Sequence, residues 1–408
     1  MKCRNCDAKL NLVLIDLGSA PLSNAYLTSI TLRRPEKWFP LRVLVCESCW
    51  LVQAEAYSRA AEIFNDDYAY FSSFSDEWMM HAKEYADAAT SEFALGEESF
   101  VVEVASNDGY LLKNFVDCGI PCLGVEPTGS TATAARSKGV PTLERFFGEE
   151  LAAEMFASYG HTDLLVANNV LAHVPEPHDF LNGVSALLAR EGVATFEFPH
   201  LMNLIEQKQF DTIYHEHFAY LSFTATVDLM ARSGLTVFRV QELATHGGSL
   251  RVFAQLGDRG RRPVEESVGE MLRRERDAKM LSAEFYDGFQ AHGNSVKNNF
   301  LQFLLDASRS QKSVAGYGAA AKGNTLLNFA GVGTDLISFV VDRNPAKQGK
   351  FLPGSRIPIF DEGKLSEDKP DFIVIFPWNL KAEVMEQLSY ARSWDAKFVT
   401  AVPELEIS

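Results

Sequence analysis

The sequence predicts an α/β protein of three domains, in which a small metal-binding domain precedes two domains with doubly wound parallel sheets. Short apolar strands alternate with helical segments from Phe100 onward, and the same alternation starts again at Ser313. Four of the six cysteines fall in two Cys-x2-Cys pairs near the start of the chain, which predicts the metal-binding domain. We place the domains at 1–70, 71–260 and 311–408, with a helical connector at 261–310.

Length, composition and charge limit the class of protein. At 408 residues the chain exceeds the usual size of one hydrophobic core, and 47% apolar and 23% charged residues are typical of a globular protein. The formal net charge of −16 disfavours nucleic acid as a partner, because a polyanion would be repelled. The first residues lack the apolar core of a signal peptide, and no run of about 18 apolar residues could span a bilayer. We therefore expect a cytoplasmic protein with no membrane partner.

The two cysteine pairs, Cys3/Cys6 and Cys46/Cys49, predict a structural zinc site. Each pair brings two thiolates together, and two such pairs make a closed tetrahedral site for Zn²⁺. The 39 residues between the pairs exceed the usual zinc-ribbon spacing, so segment 11–40 is expected to form a large loop or additional strands. A redox dithiol is the alternative, and disulfides are disfavoured in a cytosolic chain.

The first strand of the central domain leads into a loop that predicts an adenosine site. Strand 100–105 is followed by Ser106-Asn107-Asp108-Gly109, and the next strand ends at Glu126, 17 residues after Gly109. An acidic side chain at that second tip is placed to bind both ribose hydroxyls. A nicotinamide cofactor would require Gly-x-Gly-x-x-Gly, and this loop has only Gly109. We therefore predict S-adenosylmethionine, bound by Glu103, Asn107, Gly109 and Glu126.

The segment Tyr214-His215-Glu216-His217-Phe218-Ala219-Tyr220 predicts a proton-transfer centre. Five of its seven residues carry an acid, a base or a hydroxyl, in a chain with nine histidines. Imidazole titrates near neutrality and therefore suits general acid–base catalysis. The zinc-protease motif needs two histidines four apart on a helix, and here they are two apart, so metal ligation is a weaker interpretation. A structural pair of half-buried histidines is the other alternative.

In order along the chain, these motifs resemble those of the three-domain sugar C-methyltransferases of deoxysugar biosynthesis, which act on nucleotide-linked 4-keto-6-deoxy sugars. The resemblance covers nearly the whole chain. It is carried by the two cysteine pairs, Glu103-Val-Ala-Ser-Asn-Asp-Gly, Asn168-Asn-Val-Leu-Ala-His-Val-Pro, Tyr214-His-Glu-His and Gly316-Tyr-Gly-Ala-Ala-Ala-Lys-Gly-Asn-Thr. It implies a zinc-binding domain, a class I methyltransferase domain with a Rossmann-like fold, and a C-terminal Rossmann-like domain that binds the sugar nucleotide.

The resemblance implies methylation at a carbon next to the ketone. C-3 and C-5 both flank the ketone, and we favour C-3. His217 is then the base, Glu216 holds its tautomer, and His215 or Tyr214 lies near the 4-keto oxygen. Asn168 and Asn169 join the cofactor site, as does Ala105, a departure because this class usually has glycine there. The extra methyl group is expected to tighten the loop around the methionine portion of the donor.

We predict a phosphate site in the third domain, because a strand, a Gly-x-Gly turn and the start of a helix follow one another there. Positive side chains in an acidic chain also suit a diphosphate, although a solvated surface is the alternative. We expect the substrate to be bound by Tyr68, Tyr70, His173, Tyr220, Gly318, Lys322, Arg343 and Lys347. The protein is expected to be a monomer or a weak homo-oligomer. An O- or N-methyltransferase and a non-catalytic donor-binding protein remain alternatives.

Overall fold

The computed structural model describes residues 1–55, 57, 63, 72–74 and 76–408, and the strands of these residues form three sheets. The strands are β1 (Leu12–Ala20), β2 (Phe39–Val45), β3 (Val52–Ala54), β4 (Val101–Val104), β5 (Cys122–Val125), β6 (Thr142–Leu143), β7 (Thr162–Asn168), β8 (Leu188–Pro199), β9 (Ala219–Tyr220), β10 (Leu235–Leu243), β11 (Ser249–Leu256), β12 (Val314–Tyr317), β13 (Val340–Val341), β14 (Ile359–Phe360), β15 (Phe372–Ile375), β16 (Lys397–Thr400) and β17 (Glu406–Ile407).

Helices cover the sheets and connect them. They are α1 (Asp76–Glu92), α2 (Leu112–Asp117), α3 (Gly129–Ser137), α4 (Glu149–Tyr159), α5 (Pro177–Leu187), α6 (Leu201–Glu206), α7 (Phe223–Arg232), α8 (Glu266–Asp277), α9 (Phe289–Arg309), α10 (Ala321–Ala330), α11 (Gly363–Asp368) and α12 (Lys381–Gln387). Within the described ranges, no helix combines the length and the apolar composition needed to cross a membrane.

The first sheet is antiparallel, with the strand order β1-β2-β3-β9. The strands β1 and β2 confirm that segment 11–40 contributes additional strands. Strand β9 comes from a distant part of the sequence: Tyr220 pairs with Val52, and Ala219 pairs with Gln53. The segment that follows His217 is therefore an edge strand of the cysteine-rich domain.

The central sheet has the order β10-β11-β8-β7-β4-β5-β6. The five strands from β8 to β6 are parallel, which places the carboxyl ends of β4, β5, β7 and β8 at one edge. The predicted doubly wound parallel sheet is confirmed for these five strands, and β11 departs from it because it runs antiparallel to β8. Strands β10 and β11 form an antiparallel hairpin. Only residues 244–248 connect these two strands, and a parallel crossover needs about a dozen residues or more.

The C-terminal sheet has the order β14-β13-β12-β15-β16-β17 and is parallel except for β17. Two of the hydrophobic clusters cross between sheets. One cluster combines residues of the cysteine pairs with the central sheet, and another combines β1 and β2 with α9 and the C-terminal sheet. Because apolar surface of the first sheet is buried against both other sheets, the three parts share their cores.

A buried side-chain hydrogen bond attaches α8 to the central domain. His200 Nε2 lies 2.7 Å from Glu275 Oε1, and neither side chain is exposed. The Glu275 carboxylate also accepts hydrogen bonds from the backbone N–H groups of Phe223 and Thr224, at 2.6 and 2.7 Å. These are the first N–H groups of α7, where a carboxylate complements the helix dipole.

Glu275→Gln is expected to lower the free energy of unfolding by roughly 3 kcal/mol at neutral pH, because it removes a buried carboxylate that accepts hydrogen bonds from His200 and from two backbone N–H groups. Burial opposes ionisation, but the hydrogen bonds from His200 and Thr224 hold the pKa of Glu275 below its usual value. The carboxylate's contribution is therefore complete above the unfolded pKa and is lost as the pH falls through the folded pKa. Urea unfolding from pH 3 to 7 checks this, with exposed Glu270→Gln as control; equal acid dependence in both variants would contradict the prediction.

Candidate active site

The four cysteines of the first domain converge, as predicted. Their Sγ atoms all lie within 4.8 Å of one another, and Cys3–Cys49 and Cys6–Cys46 are 3.5 Å apart. A tetrahedral Zn²⁺ with Zn–S bonds of about 2.3 Å needs sulfur separations of about 3.8 Å, so the four thiolates fit this ion. Asp7 and Trp50, each following a second cysteine, both have φ of 61°, so the two pairs form matching turns.

Hydrogen-bond donors surround the Cys3 sulfur. Gln53 Nε2 lies 3.2 Å from Cys3 Sγ, and the backbone N–H of Asn5 donates to it over 3.4 Å. The Cys49 contact and these N–H groups lower the pKa of the Cys3 thiol, although burial opposes the shift. Donors around a sulfur stabilise the thiolate that a zinc ion requires.

The loop after β4 has the backbone shape of a ligand-binding turn. Ala105, Asn107 and Gly109 all have positive φ, at 52°, 49° and 76°. A Cβ at Gly109 would lie 2.9 Å from Val140 Cγ2, so glycine is required there by both conformation and space. At Ala105 the left-handed conformation costs about 1 kcal/mol, a cost that glycine would not carry.

Glu126 lies at the tip of β5 and is joined to this loop. Its carboxylate accepts hydrogen bonds from the N–H groups of Asn107 and Thr128, both at 2.9 Å. Burial raises the pKa of Glu126, and these two hydrogen bonds oppose the shift. Each carboxylate oxygen keeps a second lone pair, so both can accept from ribose hydroxyls.

Other buried oxygen atoms at this edge have no hydrogen-bond partner among the described residues, namely Glu103 Oε2, Asn168 Oδ1 and Asn169 Oδ1. Burial and the carboxylates of Glu126 and Asp108 raise the pKa of Glu103 well above its usual value. Buried acceptors without donors are costly, so a ligand with hydroxyl and ammonium groups fits this site. S-adenosylmethionine carries those groups, and its positive charge suits the nearby acids.

Glu126→Gln is expected to weaken binding of S-adenosylhomocysteine by about 10- to 100-fold, because a charged acceptor for two hydroxyls becomes a neutral group with one acceptor oxygen. Calorimetric titration with this demethylated donor measures the change without turnover. Glu144→Gln provides the control, since Glu144 is an exposed residue following β6 that pairs with Arg136. Equal affinities of the wild type and Glu126→Gln would contradict the prediction.

Strand pairing positions the segment that contains His217. The following residue, Phe218, donates its N–H to Ala172 O at 2.7 Å, next to the end of β7. Phe218 O accepts from the Ala54 N–H at 3.1 Å and from Arg4 Nη1 at 3.3 Å. His217 is therefore held between the central sheet and the cysteine-rich domain.

Aromatic side chains surround the His217 ring. Its centroid lies 4.1 Å from that of Tyr214, 4.6 Å from His173 and 5.8 Å from Tyr220. His217 Nδ1 lies 2.9 Å from Thr212 O, so the ring donates its Nδ1 proton to this carbonyl. That hydrogen bond selects the tautomer in which Nε2 is the basic nitrogen.

His173 and Tyr220, the other two ring neighbours of His217, are both affected by burial. His173 Nδ1 donates to Glu216 O over 2.8 Å, and burial lowers the pKa of His173 to about 4. His173 is therefore neutral at pH 7 and does not oppose a positive charge on His217. Burial also raises the pKa of Tyr220, and its hydroxyl has no hydrogen-bond partner among the described residues.

Two residues of the Tyr-His-Glu-His segment lie elsewhere. The prediction that Glu216 holds the His217 tautomer is wrong, because Thr212 O takes that role and Glu216 Oε1 accepts from Asn24 Nδ2 at 3.2 Å. Burial raises the pKa of Glu216 to about 7. His215 points toward the first domain, where its Nε2 lies 3.2 Å from the carbonyl oxygens of Phe39 and Pro40.

The C-terminal candidates have partners within the protein. Lys347 Nζ lies 2.9 Å from Ala319 O and 3.3 Å from Asp342 Oδ2, while Lys322 Nζ lies 2.9 Å from Asn379 Oδ1. The side chain of Arg343 is 61% exposed, which leaves it accessible to an anion. A Cβ at Gly318 would lie 2.6 Å from Pro377 Cδ, so close packing alone requires glycine in this turn. Tyr68 and Tyr70 lie outside the described residues.

Sequence reasoning missed a polar cluster beside Asn168. Glu197 on β8 pairs with Asn168 in register, and its carboxylate lies 2.9 Å from His81 Nε2, 2.9 Å from Arg251 Nη2 and 3.0 Å from Thr245 Oγ1. Burial opposes ionisation, but the His81 and Arg251 contacts lower the pKa of Glu197. The glutamate within the otherwise apolar strand Thr-Phe-Glu-Phe was the sequence signal for a buried polar site. Its partners could not be predicted from this signal, because they come from distant segments.

Comparison with known proteins agrees with this arrangement. The family models describe a zinc binding domain at residues 3–64, a methyltransferase domain at 78–240 and a C-methyltransferase C-terminal domain at 244–403. The C-methyltransferase NovU of Streptomyces niveus is 34% identical over 405 residues, which cover 99% of this chain and 96% of NovU. This chain belongs to the C-methyltransferase family. It is an S-adenosylmethionine-dependent C-methyltransferase with a zinc-binding domain, which confirms the predicted family, enzyme class and cofactors.

Two solved structures each match less than half of this chain. The CcbJ methyltransferase of Streptomyces caelestis is 13% identical, with a TM-score of 0.36, covering 47% of this chain and 98% of that one. The magnesium protoporphyrin IX methyltransferase of Synechocystis, solved with bound S-adenosylhomocysteine, is 14% identical, with a TM-score of 0.34, covering 43% of this chain and 81% of that one.

Proposed function

We propose that this enzyme methylates a nucleotide-linked 4-keto-6-deoxy sugar at a carbon next to the ketone, with C-3 favoured over C-5. The observation that carries the proposal is the His217 ring. Its Nδ1 proton is directed to Thr212 O at 2.9 Å, and its centroid lies 4.6 Å from that of His173 in the turn that follows β7. Methylation at carbon needs a base for a C–H proton, whereas oxygen or nitrogen acceptors carry lone pairs already. A tautomer-fixed imidazole next to the donor edge of the sheet fits that requirement.

His217 Nε2 takes the proton from the carbon next to the ketone. The electron pair of that C–H bond forms a carbon–carbon double bond, and the carbonyl oxygen becomes an enolate oxygen. S-adenosylmethionine, when bound, supplies an electrophilic methyl group on a sulfonium. The enolate carbon forms the new C–C bond with that methyl group while the bond from the methyl group to sulfur breaks. The sulfur keeps the electron pair of the broken bond as a neutral thioether, the carbonyl group is restored, and His217 retains the abstracted proton.

Tyr214 is the better candidate for the residue near the 4-keto oxygen. Its ring lies 4.1 Å from that of His217, whereas His215 faces the carbonyl oxygens of Phe39 and Pro40. A phenol can donate a hydrogen bond to an enolate oxygen, and such donors stabilise the charge that develops in the transition state. His173 and Tyr220 would line the sugar site around the base.

The nucleotide portion is proposed to bind to the C-terminal domain. The contacts of Lys322 and Lys347 with Asn379, Ala319 and Asp342 place fixed cations beside the glycine turn. A diphosphate would compete with these protein oxygen atoms for the two lysine ammonium groups. The exposed guanidinium group of Arg343 offers a bidentate donor in addition. Tyr68 and Tyr70 remain candidates for substrate contacts.

Proton NMR in heavy water tests the proposal. The purified enzyme is incubated with the thymidine, cytidine or guanosine diphosphate form of 4-keto-6-deoxyglucose, with S-adenosylhomocysteine present to occupy the donor site. Deuterium incorporation at one carbon beside the ketone is expected, because proton abstraction does not need the methyl group. A second reaction with ¹³C-methyl donor then locates the new methyl group on that carbon.

The two readouts separate the remaining alternatives. Incorporation and methylation at C-3 support the favoured regiochemistry, and both events at C-5 assign the other carbon. A labelled methyl group on oxygen or nitrogen would show that the substrate is not a carbon acid. Absence of both events with all three sugars, in enzyme that binds S-adenosylhomocysteine, would refute this substrate class.

A further inference from the structure

We propose that Trp378 and Thr325 of the C-terminal domain are positioning residues for proton abstraction, because they hold the turn whose Thr212 carbonyl fixes the His217 tautomer. The inference rests on the proposed role of His217 as the base. It gives the C-terminal domain a part in the chemistry in addition to nucleotide binding. Neither residue is proposed to contact the reacting atoms.

Trp378 contacts Asp211, the residue that precedes Thr212 in this turn. Its indole Nε1–H donates to Asp211 Oδ2 at 2.8 Å, and Asp211 belongs to the 3-10 turn Phe210–Thr212. Lys322 Nζ lies 4.5 Å from the indole ring centroid, which favours one orientation of the ring. Asp211 is 2% exposed, so its hydrogen bond to Trp378 is shielded from competing water.

Thr325 contacts the backbone on the other side of Thr212. Its hydroxyl donates to Ile213 O at 2.8 Å, and this contact is buried. Helix α10, which carries Thr325, also packs against the turn Phe210–Thr212. The two contacts therefore hold the residues on both sides of Thr212 from the C-terminal domain.

Contacts from the central domain fix the remaining side of the turn. Gln209 Nε2 donates to Gly247 O at 3.0 Å, and Thr212 Oγ1 donates to Gln209 O at 2.8 Å. A Cβ at Gly247 would lie 2.9 Å from Trp378 Cη2, so the indole also packs on this loop. The Thr212 carbonyl thus lies in a turn confined between two domains.

This confinement matters because the base acts through one nitrogen. If the turn shifts, the hydrogen bond from His217 Nδ1 to Thr212 O weakens, and the tautomer with the proton on Nε2 becomes populated. That tautomer cannot accept a proton at Nε2. A displacement of about 1 Å in a catalytic group lowers rates by about 100-fold, so even a partial release has a measurable effect.

The test uses Trp378→Phe and Thr325→Val, each of which removes one hydrogen-bond donor while retaining most of the side-chain volume. We expect the deuterium incorporation rate to fall by about 10- to 100-fold in each variant. In protein labelled with ¹⁵N-histidine, we expect the His217 signals to move away from the Nδ1–H tautomer. His217→Asn assigns those signals by their absence.

Two control variants separate positioning from general damage. Thr325→Ser keeps the hydroxyl and is expected to retain the wild-type rate. Trp394→Phe removes an indole N–H that donates to Pro370 O at 3.1 Å in the same domain, and it is expected to leave both readouts unchanged. Affinity for S-adenosylhomocysteine is expected to be unchanged in all four variants, since no donor-site residue is altered.

Unchanged exchange and an unchanged tautomer in Trp378→Phe and Thr325→Val would overturn the inference. Equal losses of exchange, donor affinity and thermal stability would also overturn it, because they would indicate a merely structural role. If the wild type shows no exchange, the proposed function has failed, and the tautomer spectra still decide on the positioning role. In that case, a change in the His217 tautomer in Trp378→Phe and Thr325→Val, but not in Trp394→Phe, supports the positioning role.

Discussion

His217→Asn is expected to slow deuterium incorporation next to the ketone by about 10²- to 10⁴-fold, the range that a general base contributes. Asparagine retains an N–H that can donate to Thr212 O, but it has no basic nitrogen in place of Nε2. Methyl transfer is expected to fall by at least the same factor, because no enolate forms. The exchange rate is measured by proton NMR with S-adenosylhomocysteine in the donor site.

His292→Asn is the matched control, since His292 is an exposed histidine on α9. Both variants are expected to bind S-adenosylhomocysteine as the wild type does, which separates loss of the base from loss of the donor site. Normal exchange in His217→Asn would move the base role to another residue. His173 would be the next candidate, with its ring 4.6 Å from that of His217.

Removing the zinc ion is expected to abolish proton exchange while donor binding persists. Zinc binding supplies about 10 kcal/mol or more of folding free energy in isolated zinc modules, so Cys46→Ser should destabilise the first domain strongly. That domain holds β9 through its pairing with β3, and Arg4 donates to Phe218 O, next to His217. The residues of the donor site lie at the ends of strands of the central sheet and take no part in these hydrogen bonds, although the two domains share a hydrophobic cluster.

Cys118→Ser is the control for this experiment, because Cys118 is an exposed free cysteine outside the predicted metal site. We expect zinc content, measured by mass spectrometry, to fall from about one ion per chain to nearly none in Cys46→Ser alone. Calorimetric titration with S-adenosylhomocysteine and the exchange assay then report on the two sites separately. Full exchange in zinc-free enzyme would show that the first domain does not position the base.

The motifs whose parts are close in sequence were predicted from the sequence. The spacing Cys-x2-Cys makes a turn that brings two sulfurs together, and two such pairs predicted the zinc site. The loop after β4 and Glu126 at the tip of β5 belong to neighbouring parallel strands, so their meeting follows from the order of strands along the chain. The nine-residue strand β1 was one of two predicted outcomes for segment 11–40, because the long spacing between the cysteine pairs shows that a segment is inserted but not whether it forms a loop or strands.

The contacts of His217 were not predictable in the same way. Glu216 is its neighbour in sequence, but the backbone directs that carboxyl to Asn24, and the carbonyl of Thr212 takes the Nδ1 proton. The partners of Glu197 likewise come from α1, β11 and the loop between β10 and β11. Side chains that are adjacent in sequence point in different directions, so proximity along the chain does not identify a hydrogen-bond partner.

The residue types and their spacing show which chemistry this protein has available: four thiols for a zinc ion, an acidic strand tip for a ribose, and histidines for a proton. The way in which these groups are held follows from the folded chain, because β9 joins the first sheet and Trp378 and Thr325 contact the turn that ends at Thr212. Local spacing is set by covalent geometry and by the regular repeat of strands and helices. Contacts between distant segments depend on which apolar surfaces are buried together. In this enzyme the hydrophobic cores are shared between sheets, so these contacts form only when the whole chain folds.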